Sequence, residues 1–211
     1  MKVKTARARA FAALIAAAAW SGLALQMYLL VHSFIADGAG ALAGVWRFFA
    51  FFTLLTNIIV AVVTTLVALG RAVGAQTLTA TGSYIALAGI TYHFILSGTW
   101  NPHGLSLIAD RINHYVTPIL YTLFWIACVG KGAHRWTDVI GWLGYPTFYL
   151  FYAMGRGALD GFYAYFFIDL PKLGIAGVAV NAAGMFVGYI AIAAMFVAID
   201  RGMGALRRLP A

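Results

Sequence analysis

The sequence has very little charge and almost no cysteine. Only 9% of its 211 residues are Asp, Glu, Lys or Arg, whereas 63% are hydrophobic. Soluble domains carry about 25% charged residues, and a water-soluble chain of this length could not bury so much apolar surface. The composition therefore excludes an ordinary soluble enzyme. The single cysteine, Cys128, cannot form a disulfide within the chain, which excludes a disulfide-stabilised scaffold.

The sequence also lacks the motifs of metal and phosphate chemistry. It contains no HExxH zinc motif, no GxSxG nucleophile motif and no phosphate-binding loop. No carboxylate lies inside the apolar segments, so we expect neither a metal nor a cofactor. The net charge is +8, but the basic residues stand at the ends of apolar segments. They therefore indicate membrane topology, and no nucleic-acid partner is expected.

Apolar segments are what the sequence has in abundance. A helix needs about 20 mostly apolar residues to cross the ~30 Å hydrocarbon core of a bilayer. Six such segments lie near residues 11–35, 48–69, 83–97, 112–129, 139–155 and 173–199. The sequence therefore predicts an all-α fold, a six-helix transmembrane bundle that forms one domain over residues 1–211.

The first apolar segment follows basic residues and could also be a secretory signal peptide. The hydrophobic part of a signal peptide runs for about 7–15 residues. This segment continues through Trp20 and Tyr28, for about twice that length. We interpret it as a retained first helix.

The distribution of Lys and Arg predicts the orientation of the bundle. With the N-terminus in the cytoplasm, the cytoplasmic segments hold 10 of the 14 basic residues and the outer segments hold 4. Such a bias is typical of the cytoplasmic side. Because six is an even number of spans, both termini are predicted to be cytoplasmic.

Polar residues in the outer halves of three predicted spans are candidates for a site, since polar groups in hydrocarbon are costly. Thr53 and Asn57 are four residues apart in the second span and share a helical face. His93 lies in the third span, and His114 lies at a depth comparable to Thr53 in the fourth. Imidazole titrates near neutral pH and can activate a hydroxyl as a nucleophile. Thr53 and His114 are therefore a candidate catalytic pair.

Further polar residues could support this pair. Asn57 and Asn113 are candidate donors to an oxyanion, and His93 is a candidate partner behind them. Arg111 and Arg156, at the outer rim, could hold a substrate carboxylate.

Two other interpretations stay open. In the first, Thr53, Asn57 and His114 join helices by hydrogen bonds in the packed core of a non-catalytic lipid-binding or structural membrane protein. A cavity that reaches Thr53 would favour the enzyme over this interpretation. In the second, His93 and His114 ligate a haem iron from two helices.

Several segments of the chain carry a family resemblance. They are residues 51–57 (FFTLLTN), 114–118 (HYVTP), 145–146 (YP) with Tyr149 and Tyr152, 156–157 (RG), 165–169 (YFFID), Gly174 and Asn181. This set resembles the bacterial Pr-six-Pr family of integral membrane proteins over nearly the whole chain. That family is distantly similar to the androgen-induced and androgen-dependent TFPI-regulating proteins, multispan hydrolases that cleave fatty acid esters of hydroxy fatty acids with an intramembrane threonine.

The resemblance implies both an activity and a location. It implies that Thr53 is the nucleophile and His114 its partner, with membrane lipids or fatty acyl esters as substrates. It also implies a multi-pass protein of the bacterial inner membrane. We therefore predict an intramembrane lipid-ester hydrolase that uses a threonine nucleophile and a histidine base.

Overall fold

The computed structural model describes residues 5–206, and this part of the chain is helical without any strand. This confirms the all-α fold class. The helices are α1 (Ala6–Ala36), α2 (Ala41–Phe48), α3 (Phe52–Ala68), α4 (Ala75–Thr91), α5 (Leu105–Arg111), α6 (Thr117–Cys128), α7 (Asp138–Trp142), α8 (Gly144–Asp160) and α9 (Leu170–Leu206). A π-helical turn (Tyr92–Leu96) extends α4, and another (Ile112–Val116) joins α5 to α6.

Two of the described helices, α1 and α9, are long and apolar enough to cross a membrane. The pair α2 and α3 would be a third such element if the two helices together form one span, although they are bent by 79° at the break between them. The structure thus supports an association with the membrane through apolar helices.

Several helices begin or end away from the predicted bounds. The third predicted helix begins at Ala75, directly after Gly74, and not near residue 83. The sequence does not show this start, because residues 72–109 contain no charged residue that would mark a boundary. The fourth begins at Leu105, so that Asp110 lies inside a helix and not in a loop. Pro146 lies in the first turn of α8, where its missing N–H group leaves no hydrogen bond unmade. It does not interrupt the helix.

Pro118 explains the irregular turn between α5 and α6. Without an N–H group, Pro118 cannot donate to the carbonyl of His114, four residues earlier. The preceding residues form a π-helical turn in which the Thr117 amide donates to the Ile112 carbonyl. Such turns are frequent at functional sites, and this one carries His114.

The core lies where the helices cross. Helix α1 packs against α2 and α3, and α4 packs against α3, α6 and α9. Close packing of α2 on α1 depends on Gly44, where a Cβ atom would lie 2.7 Å from the Cα of Val31. Large apolar side chains are exposed on the outside of the bundle, among them Leu14, Phe94, Ile119, Phe148, Phe151 and Val187. Contiguous apolar surface of this kind is typical of a face that contacts lipid.

Candidate functional site

Thr53 lies in the first turn of α3, directly after the break between α2 and α3. Phe51, at the N-cap position, is extended with φ −96° and ψ 127° and provides no side-chain cap. The first N–H groups of a helix have no acceptor within the helix and carry a partial positive charge. The break therefore gives Thr53 a set of backbone donors that a threonine in mid-helix would not have.

Thr53 also differs from the other threonines of α3. The hydroxyls of Thr56, Thr64 and Thr65 each donate to the carbonyl four residues earlier, at 2.7–2.8 Å. For Thr53 that carbonyl belongs to Phe49, beyond the break, and it accepts from the Tyr152 hydroxyl at 3.0 Å. A threonine in a membrane helix usually donates a hydrogen bond to a carbonyl of its own helix. The other three threonines of α3 do so, and Thr53 does not.

Two cavities meet at Thr53, which is only 4% exposed. The apolar chamber, about 80 Å³, is lined mainly by hydrophobic side chains including Leu87, Leu150, Phe167, Ile168, Met185 and Phe186. The histidine chamber, about 290 Å³, is lined by His114 together with residues such as Gln26, Tyr92, Thr99, Trp100 and Asn113. Thr53 therefore lines both an apolar cavity and a cavity that contains an imidazole.

His114 faces the histidine chamber with a fixed ring. The ring stacks on Tyr92 with centroids 3.8 Å apart and planes 15° apart. Nδ1 lies 3.1 Å from the carbonyl oxygen and 3.1 Å from Oδ1 of Asp110. Because both neighbours of Nδ1 are acceptors, the proton belongs on Nδ1, and Nε2 is left to accept a proton.

Asp110 is a member of the site that the sequence analysis missed. It is 2% exposed, and its Oδ2 accepts a hydrogen bond of 2.8 Å from the Tyr92 hydroxyl. The spacing of four residues to His114 places both on one helical face. This spacing is visible in the sequence, but Asp110 lies outside the predicted spans 83–97 and 112–129. No carboxylate lies inside the predicted segments, yet the structure places a buried carboxylate 3.1 Å from the histidine ring.

Tyr165 completes the surroundings of Thr53. It lines both chambers beside Thr53. Backbone N–H groups that point at a developing oxyanion form an oxyanion hole. At this position the candidate donors are the first N–H groups of α3, which have no acceptor within the helix.

Asn57 and Asn113, the predicted oxyanion donors, have other roles in the structure. The Asn57 amide donates to the carbonyls of Thr53 and Asn113, at 2.9 and 3.0 Å, and the residue is fully buried. The Asn113 amide donates to the carbonyls of Gly22 and Ala109, at 3.2 and 2.9 Å. Since each amide uses both of its hydrogens, the two side chains join helices and have no N–H left for a substrate.

The remaining predicted residues do not line either chamber. His93 is exposed on the outside of the bundle, with Nδ1 3.4 Å from the Tyr115 hydroxyl, and does not meet His114. Arg111 is exposed beside the Tyr115 ring. Arg156 is 4% exposed and donates to Tyr152 and to the Trp46 carbonyl, at 2.9 and 2.5 Å. It braces α8 against α2 and lines neither chamber.

Comparisons of the chain with family models, with curated proteins and with solved structures found no match. The geometry of the chambers is therefore the basis for a functional proposal. In the described part of the chain no hydrogen bond joins Thr53 to His114; what they share is the wall of one cavity.

Proposed function

We propose that the chain crosses the membrane six times, with both termini in the cytoplasm of a bacterium. Besides α1, α9 and the α2–α3 pair, the other spans would be α4 with its π-helical turn, the continuous helical segment from α5 to α6, and α7 with α8. The bias of the basic residues supports this orientation. The site would then lie in the outer half of the membrane.

We propose that the protein is an intramembrane lipid-ester hydrolase. The observation that supports this most is that Thr53, at a helix N-terminus without a side-chain cap, shares a chamber with His114. Oδ1 of Asp110 lies 3.1 Å from Nδ1 of that histidine, which is the position of the third group in a nucleophile–base–acid arrangement. The resemblance to the Pr-six-Pr family and to the threonine hydrolases agrees with this assignment.

The geometry supports a two-step acyl transfer. Nε2 of His114 accepts the proton of the Thr53 hydroxyl as Oγ1 attacks the ester carbonyl carbon. The developing oxyanion accepts from the α3 amides, and the leaving alcohol takes its proton from Nε2. Water then attacks the acyl-threonine, with His114 again as the base. The carbons of the acyl chain nearest the carbonyl would occupy the apolar chamber, and the alcohol part of the ester the histidine chamber.

The test is cleavage of a fatty acid ester of a hydroxy fatty acid by the purified protein in lipid nanodiscs. Thr53→Ala and His114→Ala should abolish cleavage while the thermal unfolding transition is retained. A fluorophosphonate probe should label the second predicted span at Thr53, as read by mass spectrometry. Arg111→Ala is the matched control, because the residue lies near the site without lining a chamber. Equal turnover in wild type and both alanine variants excludes the mechanism.

A second candidate is a non-catalytic lipid-binding protein. It is favoured by the lack of a direct hydrogen bond between Thr53 and His114 among residues 5–206 and by the apolar chamber. It predicts saturable binding of a long-chain acyl ester without turnover, and binding that Thr53→Ala leaves unchanged. Release of free fatty acid in a manner that requires Thr53 decides against it.

A further inference from the structure

The two chambers meet at a wall of three residues. Thr53, Leu96 and Tyr165 line both chambers. Tyr165 comes from the connection between α8 and α9, where its backbone is extended with φ −134° and ψ 138°. Its chain neighbours lie on either side of the wall, with Ala164 on the histidine chamber and Phe167 on the apolar chamber. This connection therefore separates the two cavities.

The ring of Tyr165 is held in the wall by other aromatic rings. It stacks on Phe167 with centroids 5.1 Å apart and planes 2° apart. Phe51 and Tyr149 contact it at centroid distances of 6.3 and 6.4 Å. Asn181 of α9 donates to the Phe167 carbonyl at 3.0 Å and fixes the connection to the bundle. Offset and edge-to-face contacts of this kind give a ring one preferred position.

The position of Tyr165 has a consequence for an acyl group in the site. Because Tyr165 lies in the wall that the two chambers share, an acyl group that extends from one chamber into the other would have to displace its ring.

We propose that Tyr165 is the specificity-determining residue of this site, because its ring stands between the two chambers and limits how far an acyl group extends from one into the other. As a limit on an ester substrate this inference rests on the proposed function, whereas the limit on chain length applies equally to a protein that only binds lipid.

The test compares Tyr165→Phe and Tyr165→Ala with Tyr163→Phe as a matched control. Tyr163 lies on the same connection and lines neither chamber. One readout is the affinity for unbranched fluorescent fatty acids of increasing length, and the other is the rate of fluorophosphonate labelling at Thr53. Tyr165→Leu, which keeps part of the ring volume, replaces the alanine variant if that variant unfolds.

We expect Tyr165→Ala to bind the longest acids about tenfold more tightly, a gain that burial of two further methylene groups would give, with no change for the shortest. Tyr165→Phe keeps the ring and should bind acids of every length as wild type does. An unchanged dependence on chain length in Tyr165→Ala and Tyr165→Leu overturns the limit on length. A dependence on chain length that changes in Tyr165→Phe contradicts the assignment of the limit to the ring. Shifted binding with no Thr53 labelling in any form of the protein instead contradicts the hydrolase and leaves the limit on length supported.

Discussion

The bundle carries a threonine, a histidine and an aspartate at each of its two ends, and the two sets differ in access. At the end opposite Thr53, Thr79 Oγ1 lies 2.8 Å from Nε2 of His134, whose Nδ1 lies 3.3 Å from Oδ2 of Asp138. Trp125 donates to the Thr79 hydroxyl at 2.8 Å. We call Thr79, His134 and Asp138 the closed set. By hydrogen-bond geometry alone it resembles a catalytic triad more closely than Thr53, His114 and Asp110 do.

The closed set leaves no room for a substrate at its threonine and histidine. Thr79 is fully buried and His134 is 2% exposed, and neither lines the apolar chamber, the histidine chamber or the cavity of about 500 Å³ that Asp138 lines at this end. The main-chain amide of His134 donates to the buried Asp200 at 3.0 Å, so the connection between α6 and α7 is tied to α9. The two sets thus differ in hydrogen bonding and in access: one is fully hydrogen-bonded and joins helices, and the other is incompletely bonded, with its threonine and histidine on the wall of a cavity.

The same isosteric substitution at both ends of the bundle tests most directly whether the two sets differ in function. Thr53→Val should lower ester turnover about 10⁴-fold or more, because the nucleophile is lost. Thr79→Val should leave turnover per folded molecule unchanged, but it leaves two buried partners unbonded at a cost of about 1–3 kcal/mol. Turnover and thermal unfolding, measured on both variants, check the pair. A loss of turnover confined to Thr79→Val would reverse the assignment.

The histidines provide a second matched pair. His114→Gln should lower kcat about 10³-fold, since glutamine cannot act as a general base. His134→Gln should retain kcat and lower the unfolding temperature, because it disrupts a buried network. Steady-state kinetics in nanodiscs measures the first effect and a thermal shift the second. If both variants lose the same fraction of activity, the two ends are not functionally distinct.

Substitutions of the two aspartates should differ less in their effect on kcat than substitutions of the two histidines. Asp110→Asn should lower kcat about 10²-fold, because the amide can donate to Nδ1 and thereby hold the wrong imidazole tautomer. Its KM should change little, since Asp110 does not line a chamber in the structure. A KM effect without a kcat effect would assign Asp110 to substrate binding. Asp138→Asn is the control and should keep both constants.

The smallest expected effect is the pH dependence of stability at the closed end. Burial opposes ionisation of Asp138, but hydrogen bonds from the Arg135 amide, Gln76 and His134 outweigh it and lower its pKa. Because the native pKa is lower than the unfolded value, ionised Asp138 stabilises the protein above about pH 4. That contribution is lost as the pH falls through the native pKa. Asp138→Asn should therefore cost about 1–2 kcal/mol at pH 7, and unfolding curves should show the cost shrinking below pH 4.

The sequence indicated Thr53 and His114 as candidate site residues for a reason that does not depend on the tertiary structure. A hydroxyl and an imidazole inside apolar segments are costly, so their positions stand out in the chain. Asp110 and Tyr165 do not stand out in this way, because both lie outside the apolar segments. The two asparagines did stand out, but the cost of burying them is met by carbonyls of other helices, which no spacing in the sequence reveals.

Composition and the lengths of the apolar segments determined that the chain is an apolar all-α protein, because an apolar segment of about 20 residues in a membrane satisfies its backbone hydrogen bonds within itself as a helix. The tertiary structure determined which of two Thr–His–Asp sets has its threonine and histidine on the wall of a cavity. It also decided that a helix begins beside the hydroxyl of Thr53. Access and donor direction depend on how helices distant in sequence cross, and that crossing is set by packing over the whole bundle.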